Sequence, residues 1–428
     1  MMNKEIGFKK NSKLSWLISL YLVLTFALPK INIYIGAVPL YFVDIISIFL
    51  IYRNINFKSD IKLKKIALFL LFMFIISQLV YLVLTNDIRI FSYNLIRHSI
   101  PIIGIFTFFP KIYQEITKKR TYVSIIKYSC LFTSIVLIGS SVPVTRDLIE
   151  SLVSYNFLYP SAEKIFDKKS GVDEAIRGLS LIGVSNISGT IILFGLGIVI
   201  YFEKIKTSNI LIILFTLAAA TATYSRTVFI SLILIFLFKV LISNINSNYK
   251  YLFSLIIISI FLNWGKLVEN TKYLNFDRIN KASFEIEASN ENQIRGINER
   301  VFSYTQPFND LQKKPFYLFS GATINSLRSK KSIKYFDLNV NNPDHSLFGR
   351  SFYIYGFLVS IIYMFILYLI WKNLMFCVKK RSNLFICIVP VFIWCFTSHG
   401  AITTPNGSAI FFLCLVLSTL IIKEEIRQ

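Results

Sequence analysis

Residues 187–243 read ISGTIILFGLGIVIYFEKIKTSNILIILFTLAAATATYSRTVFISLILIFLFKVLIS. Three apolar runs, near 187–202, 208–223 and 227–243, are separated only by a patch around Lys204 and Lys206 and by Thr223-Tyr224-Ser225-Arg226. Each approaches the ~20 residues that carry a helix across a hydrocarbon core ~30 Å thick. Backbone amides in lipid must pair within their own segment, which favours helices. Barrel strands would alternate polar and apolar residues, and these runs do not. The stretch therefore predicts three consecutive membrane helices, short enough to tilt or to end half-buried.

The same pattern extends outward over the 428-residue chain, which is 54% hydrophobic and 16% charged, with mean hydropathy +0.59. Further runs lie near 14–29, 33–52, 64–84, 95–109, 121–142, 250–264, 351–371, 384–398 and 408–422. The expectation is an all-α integral membrane protein of about 12 transmembrane helices with one large extracytoplasmic loop. Basic residues set its orientation. Lys4, Lys9, Lys10 and Lys13 precede the first run; Arg53, Lys58, Lys62, Lys64 and Lys65 follow the second; Lys111 to Arg120, Lys204 and Lys206, Lys239 and Lys250, and Lys372 to Arg381 follow in turn. With twelve spans all fall on the cytoplasmic side. The organisation is then N-terminal helices over 1–142, an outer polar segment over 143–186, central helices over 187–264, the large outer loop over 265–350 and C-terminal helices over 351–428.

The formal charge of +23 belongs to these loops, where it meets lipid head groups; no basic stripe on a soluble fold suggests nucleic acid. Cys130, Cys377, Cys387, Cys395 and Cys414 lie in or beside apolar runs without zinc or redox spacing, and read as small buried apolar residues. The basic start enters an apolar run without a small-residue cleavage site, so the first helix is expected to remain as an anchor. There is no phosphate-loop motif, HExxH, acidic metal cluster or GxSxG elbow, so neither metal nor cofactor is expected.

Four polar motifs adjoin the spans on the outer side. In Thr223-Tyr224-Ser225-Arg226, Arg226 suits a phosphate, having paired donors and a permanent charge; an interfacial arginine with its stem in lipid is the alternative. Arg177-Gly178-Leu179-Ser180, with Asn186 and Gly189, is a polar arm entering a helix, or simply a loop with a solvated arginine. In the large loop Ile294, Ile297, Val301, Tyr304, Phe308 and Leu311 recur every three or four residues, predicting an amphipathic helix that carries Glu299 and Arg300 beside its apolar stripe. In Asn341-Asn342-Pro343-Asp344-His345-Ser346-Leu347, Asp344 is the expected N-cap and His345 the first helical residue. A helix N-terminus favours neutral imidazole, which can accept a proton from a sugar hydroxyl; a hydrogen-bonded turn histidine is the alternative. Arg350 follows on the same helix and joins the substrate-binding candidates. Arg97, His98 and His399 read as interfacial or packing residues, and Asp44, inside the second run, has no assigned role.

In this order the motifs resemble the O-antigen polymerase and O-antigen ligase family of bacterial membrane proteins. Ser225-Arg226 matches its Ser-Arg pair at the end of a short span. Arg177-Gly178 with Asn186 matches its Arg-Gly arm and downstream asparagine. Arg300 before Phe319-Ser320-Gly321-Ala322 matches its loop arginine before an apolar-glycine stretch. His345, leading through small residues to Gly356, matches its histidine; the usual His-Asn pair is His345-Ser346 here. The likeness spans residues 175–372. It implies a metal-independent glycosyltransferase of GT-C-like fold in the bacterial cytoplasmic membrane, with His345, Arg226 and Arg300 as catalytic residues and Arg177, Asn186, Ser225 and Arg350 as substrate-binding residues. Implied partners are undecaprenyl-diphosphate-linked glycan donor and acceptor, membrane lipids and a chain-length regulator, and the product is O-antigen or capsular polysaccharide. A ligase moving finished glycan onto lipid A core or protein shares this logic. A flippase would show paired halves, and an assembly protein would not need the arginines and histidine to converge.

Overall fold

The structure is a computed structural model that describes residues 2–28, 32–35, 38–57, 59–86, 88–141, 145, 185–203, 207–223, 225–242, 304–305, 307–312, 315–321, 346–397 and 404–427. Among them the fold is helical apart from one small ribbon. The first half holds α1 (Met2–Phe26), α2 (Phe42–Asn54), α3 (Ile61–Thr85), α4 (Ile88–Gly104), α5 (Phe108–Lys118) and α6 (Arg120–Ser141). Further along the chain come α7 (Ser185–Phe202), α8 (Thr207–Ala222) and α9 (Arg226–Ile242), then α10 (Leu347–Tyr355), α11 (Phe357–Lys379), α12 (Phe385–Thr397) and α13 (Pro405–Arg427). Strands β1 (Asn32–Ile35) and β2 (Val38–Tyr41) pair antiparallel, Asn32 opposite Tyr41 and Ile35 opposite Val38.

Four described helices are long and apolar enough to cross a membrane: α3, α6, α11 and α13; the pair α4 and α5, bent by 41°, makes a fifth if counted as one span. α3 places Leu68, Phe69, Phe72, Leu79 and Val83 on its exposed side, and α11 does so with Ile361, Phe365, Tyr368 and Met375. Apolar stripes of this extent, repeated on several helices, need lipid around them. The chain is therefore a helical, multi-pass membrane protein.

α13 runs through the middle, with 89% of its most apolar stretch buried. α7 is the second packing centre. A Cβ on its Gly197 would stand 2.6 Å from the backbone nitrogen of Cys387 on α12, an approach that only glycine permits. All five cysteines are buried and unbridged.

Two expectations about spans change. Residues 33–41, read as the start of the second span, are mostly ribbon, leaving α2 with 13 residues. The tenth run does not begin a continuous helix at 351. It is α10 followed by α11, parted at Gly356, whose φ of +88° falls where a side chain is disfavoured. The run 250–264 lies outside the described residues.

Polar contacts sort the helix ends into two sets. At one end Lys127 on α6 pairs with Glu203 after α7 at 3.0 Å, and Tyr201 and Ser382 both donate to Glu425 of α13 at 3.0 and 2.9 Å. Lys239 of α9 donates to Asn383 at 2.8 Å, and Lys423 pairs with Asp60, the N-cap of α3. Lys127, Lys239 and Lys423 thus gather at one side of the bundle, and Asn186, Ser225 and Ser346 mark the opposite ends of the helices that reach it.

Candidate active site

The motif-bearing elements meet in a chain of contacts. α7 begins at Ser185, and Asn186 in its first turn is half-buried, its Oδ1 accepting from the Ile187 amide at 2.8 Å. One turn on, Gly189 faces the second motif: a Cβ there would lie 2.5 Å from Cγ2 of Val228 and 3.1 Å from Cγ2 of Thr223. Ser225 is half-buried and its amide donates to Thr223 Oγ1 at 3.3 Å; Arg226 is the first residue of α9. The Arg177 arm's helix and the Ser225-Arg226 turn are therefore neighbours.

From that turn the contacts continue. The Thr227 and Thr397 hydroxyls are 2.7 Å apart, tying the start of α9 to the end of α12. Tyr304, on the expected loop helix, donates to the Phe396 carbonyl at 3.1 Å and stacks on Phe348 of α10. Phe308 packs on Phe348 and Phe357, and Tyr353 donates to Asp310 at 2.8 Å. Residues 304–305 and 307–312 are helical with their aromatic stripe seated on α10, as the three-and-four spacing predicts. The apolar-glycine stretch docks as well. A Cβ on Gly321 would stand 2.5 Å from the Tyr353 carbonyl oxygen, and one on Gly356 2.8 Å from the Ser320 amide.

Ser346, not Asp344, caps α10: its Oγ accepts from the Gly349 amide at 3.0 Å. His345 consequently precedes the cap instead of opening the helix. A hydroxyl reaches back to the amide three residues on as well as a carboxylate does, which the preceding Asp344 obscures in the sequence. Arg350 sits in the first turn of α10, half-buried. Arg177, Arg300 and His345 lie outside the described residues. Arg226 is placed by its backbone.

A second polar cluster, within the bundle, is the part that sequence reasoning underweights. His98 is buried, its ring 5.2 Å from that of Tyr355 and 6.3 Å from Phe74. Arg97 and Arg350 both lie within electrostatic reach of His98 and of Tyr355. Arg97 is held over the rings of Tyr41 and Tyr93, at 4.8 and 5.3 Å, and donates to the Tyr93 hydroxyl. Asp44 accepts from the Tyr41 amide at 3.4 Å and faces Arg97 across a narrow cleft lined also by Tyr21, Ser47 and Ser408, with room for roughly one water. The signal was present: Gln78, Asn94, Arg97 and His98 are polar residues inside or beside apolar runs.

Among the described residues no group of histidine, cysteine and acidic side chains is arranged to hold a metal. No family model matches the chain, and no curated protein matches it.

Proposed function

We propose that the protein is a membrane glycosyltransferase that joins undecaprenyl-diphosphate-linked oligosaccharide repeats into O-antigen or capsular polysaccharide at the outer face of a bacterial cytoplasmic membrane. One observation supports this reading: α7, which follows the Arg177 arm, packs on the Ser225-Arg226 turn, and α12 links that turn to Tyr304 and so to α10, although these elements are far apart in the chain. Basic connections face the cytoplasm in membrane proteins, so the motifs face outward. Sugar nucleotides are absent there, which leaves a lipid-borne donor.

In the proposed reaction an acceptor hydroxyl oxygen attacks the anomeric carbon of the donor glycan. Its bond to the diphosphate oxygen breaks, and the diphosphate leaves with the electron pair. Arg226 and Arg300 hold the charge growing on that group, assisted by Arg177, Asn186, Ser225 and Arg350. Only contacts that tighten at the transition state speed the step. His345, the residue before the Ser346 cap in sequence, takes the hydroxyl proton, for a gain of roughly 10² to 10⁴ in rate. Attack from the face opposite the leaving group inverts the anomeric centre. This reading keeps the expected arrangement of about twelve spans and one large outer loop.

Deleting the gene and examining surface glycan tests the function. Loss of polymer with retention of single repeat units supports a polymerase. Polymer stranded on its lipid carrier indicates a ligase, and unchanged glycan overturns both.

A further inference from the structure

α11 runs for 23 residues, from Phe357 to Lys379. At 1.5 Å per residue that is about 35 Å, close to the ~30 Å thickness of a hydrocarbon core. Lys379 ends the helix just before Ser382, which belongs to the polar set around Glu425. Phe357 therefore stands at the opposite boundary of the hydrocarbon. The lipid-facing stripe of α11 starts there: Phe357 is half-buried, and Ile361, Phe365 and Tyr368 follow at steps of four, four and three, all exposed.

A short stretch of the polar block sits on this boundary. Phe308 packs on Phe357, their rings 5.5 Å apart. A Cβ on Gly356 would stand 2.9 Å from the Phe319 carbonyl carbon, so the chain leaves this point and returns to it. Between them Pro315–Leu318 forms a single 3₁₀ turn, where the Phe316 and Tyr317 rings lie 4.6 Å apart and Tyr317 meets Phe352 of α10 at 6.1 Å. Despite these contacts Phe308, Phe316 and Phe319 are 49%, 45% and 44% exposed. Three phenylalanines left open at one junction mark a surface that binds something apolar. Polar residues border them. Asn309 and Gln312 are exposed beside Phe308 on the helix, and Lys313 and Lys314 follow in the sequence. Aromatic rings edged by polar and basic residues are the pattern of an element lying in the membrane interface.

We propose that residues 307–312 and 315–321 lie in the interface of the leaflet opposite Lys379, with Phe308, Phe316 and Phe319 among the acyl chains of the bilayer's phospholipids. The patch is the upper end of the α11 stripe, so lipid that covers Ile361 and Phe365 covers it too. The other side of the segment grips α10: Asp310 accepts from Tyr353, and Gly321 lies against the Tyr353 carbonyl. This contact does not depend on the reaction proposed above.

Nitroxide labels on Phe308→Cys, Phe316→Cys and Phe319→Cys test it by electron paramagnetic resonance. The full-length protein is placed at one copy per nanodisc of phosphatidylglycerol and phosphatidylcholine, with wild type, whose cysteines are buried, as the blank. Oxygen concentrates in hydrocarbon and a nickel chelate in water, so the ratio of their relaxation effects reads the surroundings. Phe365→Cys is the lipid reference and Asn309→Cys the water reference. The three labels are expected to give ratios near that of Phe365→Cys and about tenfold above that of Asn309→Cys. Phe316 and Phe319 keep the test independent of Phe308, whose ring packs on Phe348 and Phe357. Ratios like that of Asn309→Cys at these two positions put the segment in water and overturn the proposal. So does shielding from both reagents, which means that protein covers the patch. Dipolar broadening in discs that hold two copies marks a dimer face, and a lipid-like ratio that appears only after undecaprenyl diphosphate is added marks a carrier groove. Either result also overturns it.

Discussion

Arg226 opens α9 directly after Ser225, at a turn packed against Gly189. Its proposed work depends on a planar fork matched to phosphate oxygens, which a lysine ammonium does not reproduce. Arg226→Lys should therefore keep the charge and still lower the initial rate of chain extension about tenfold or more, in line with one lost charge-assisted hydrogen bond. A wild-type rate in that variant contradicts two-pronged binding. Asp60 offers a test at the opposite end. Burial pushes its pKa up, but the Lys423 ammonium and the amides of Leu63 and Lys62 outweigh this and hold it below the usual carboxylate value. A lowered native pKa gives stability that is present above the unfolded value of about 3.9 and fades as pH falls through the native one. Melting temperature should therefore drop as pH is taken below about 4. Asp60→Asn should flatten that drop, by a small amount because the pair is partly exposed. Identical acid profiles for the two proteins contradict the linkage.

At the scale of elements, the junction of α10 and α11 is where residues 319–321 dock on the bundle. Gly356 sits at φ +88° with the Ser320 backbone close by, and Gly321 lies against Tyr353 and Ile354 backbone. Neither neighbour is a flexible side chain that can turn aside. Gly356→Ala and Gly321→Ala should each destabilise by roughly 1–3 kcal/mol, read as a lower melting temperature, and should lower activity by shifting α10. Wild-type melting in both would contradict this docking. The helices themselves are legible in sequence because a run such as 64–84 leaves the backbone one way to pair in lipid. The ribbon is not legible, since Asn32–Ile35 and Val38–Tyr41 are as apolar as the helix they precede. The break at Gly356 also escapes composition, because glycine inside membrane helices is common and only the approach of Ser320 makes it a junction. The site was legible in part. Ser225, Asn186 and Arg350 stand on elements that α12 and Tyr304 link together, whereas the burial of Gln78 and Asn94 shows only in the packed bundle.

For the whole molecule, the separation of a basic end from a motif end is the feature on which the proposed function turns. Single cysteines in a cysteine-free background read it directly. Asn383→Cys, beside Lys239, should resist a membrane-impermeant thiol reagent added to intact cells, and Thr404→Cys, just before α13, should react. Labelling of both from the same side contradicts the topology. The five native cysteines are buried in the fold, so removing them touches no candidate site residue. The most direct measurement is chain extension by the purified protein in nanodiscs supplied with undecaprenyl-diphosphate repeat units. Wild type should produce a ladder of lengthening products, while Arg226→Ala and His345→Ala, folded and present at equal amounts, should yield only the starting unit. A normal ladder from either variant, or none from the wild type, contradicts the account.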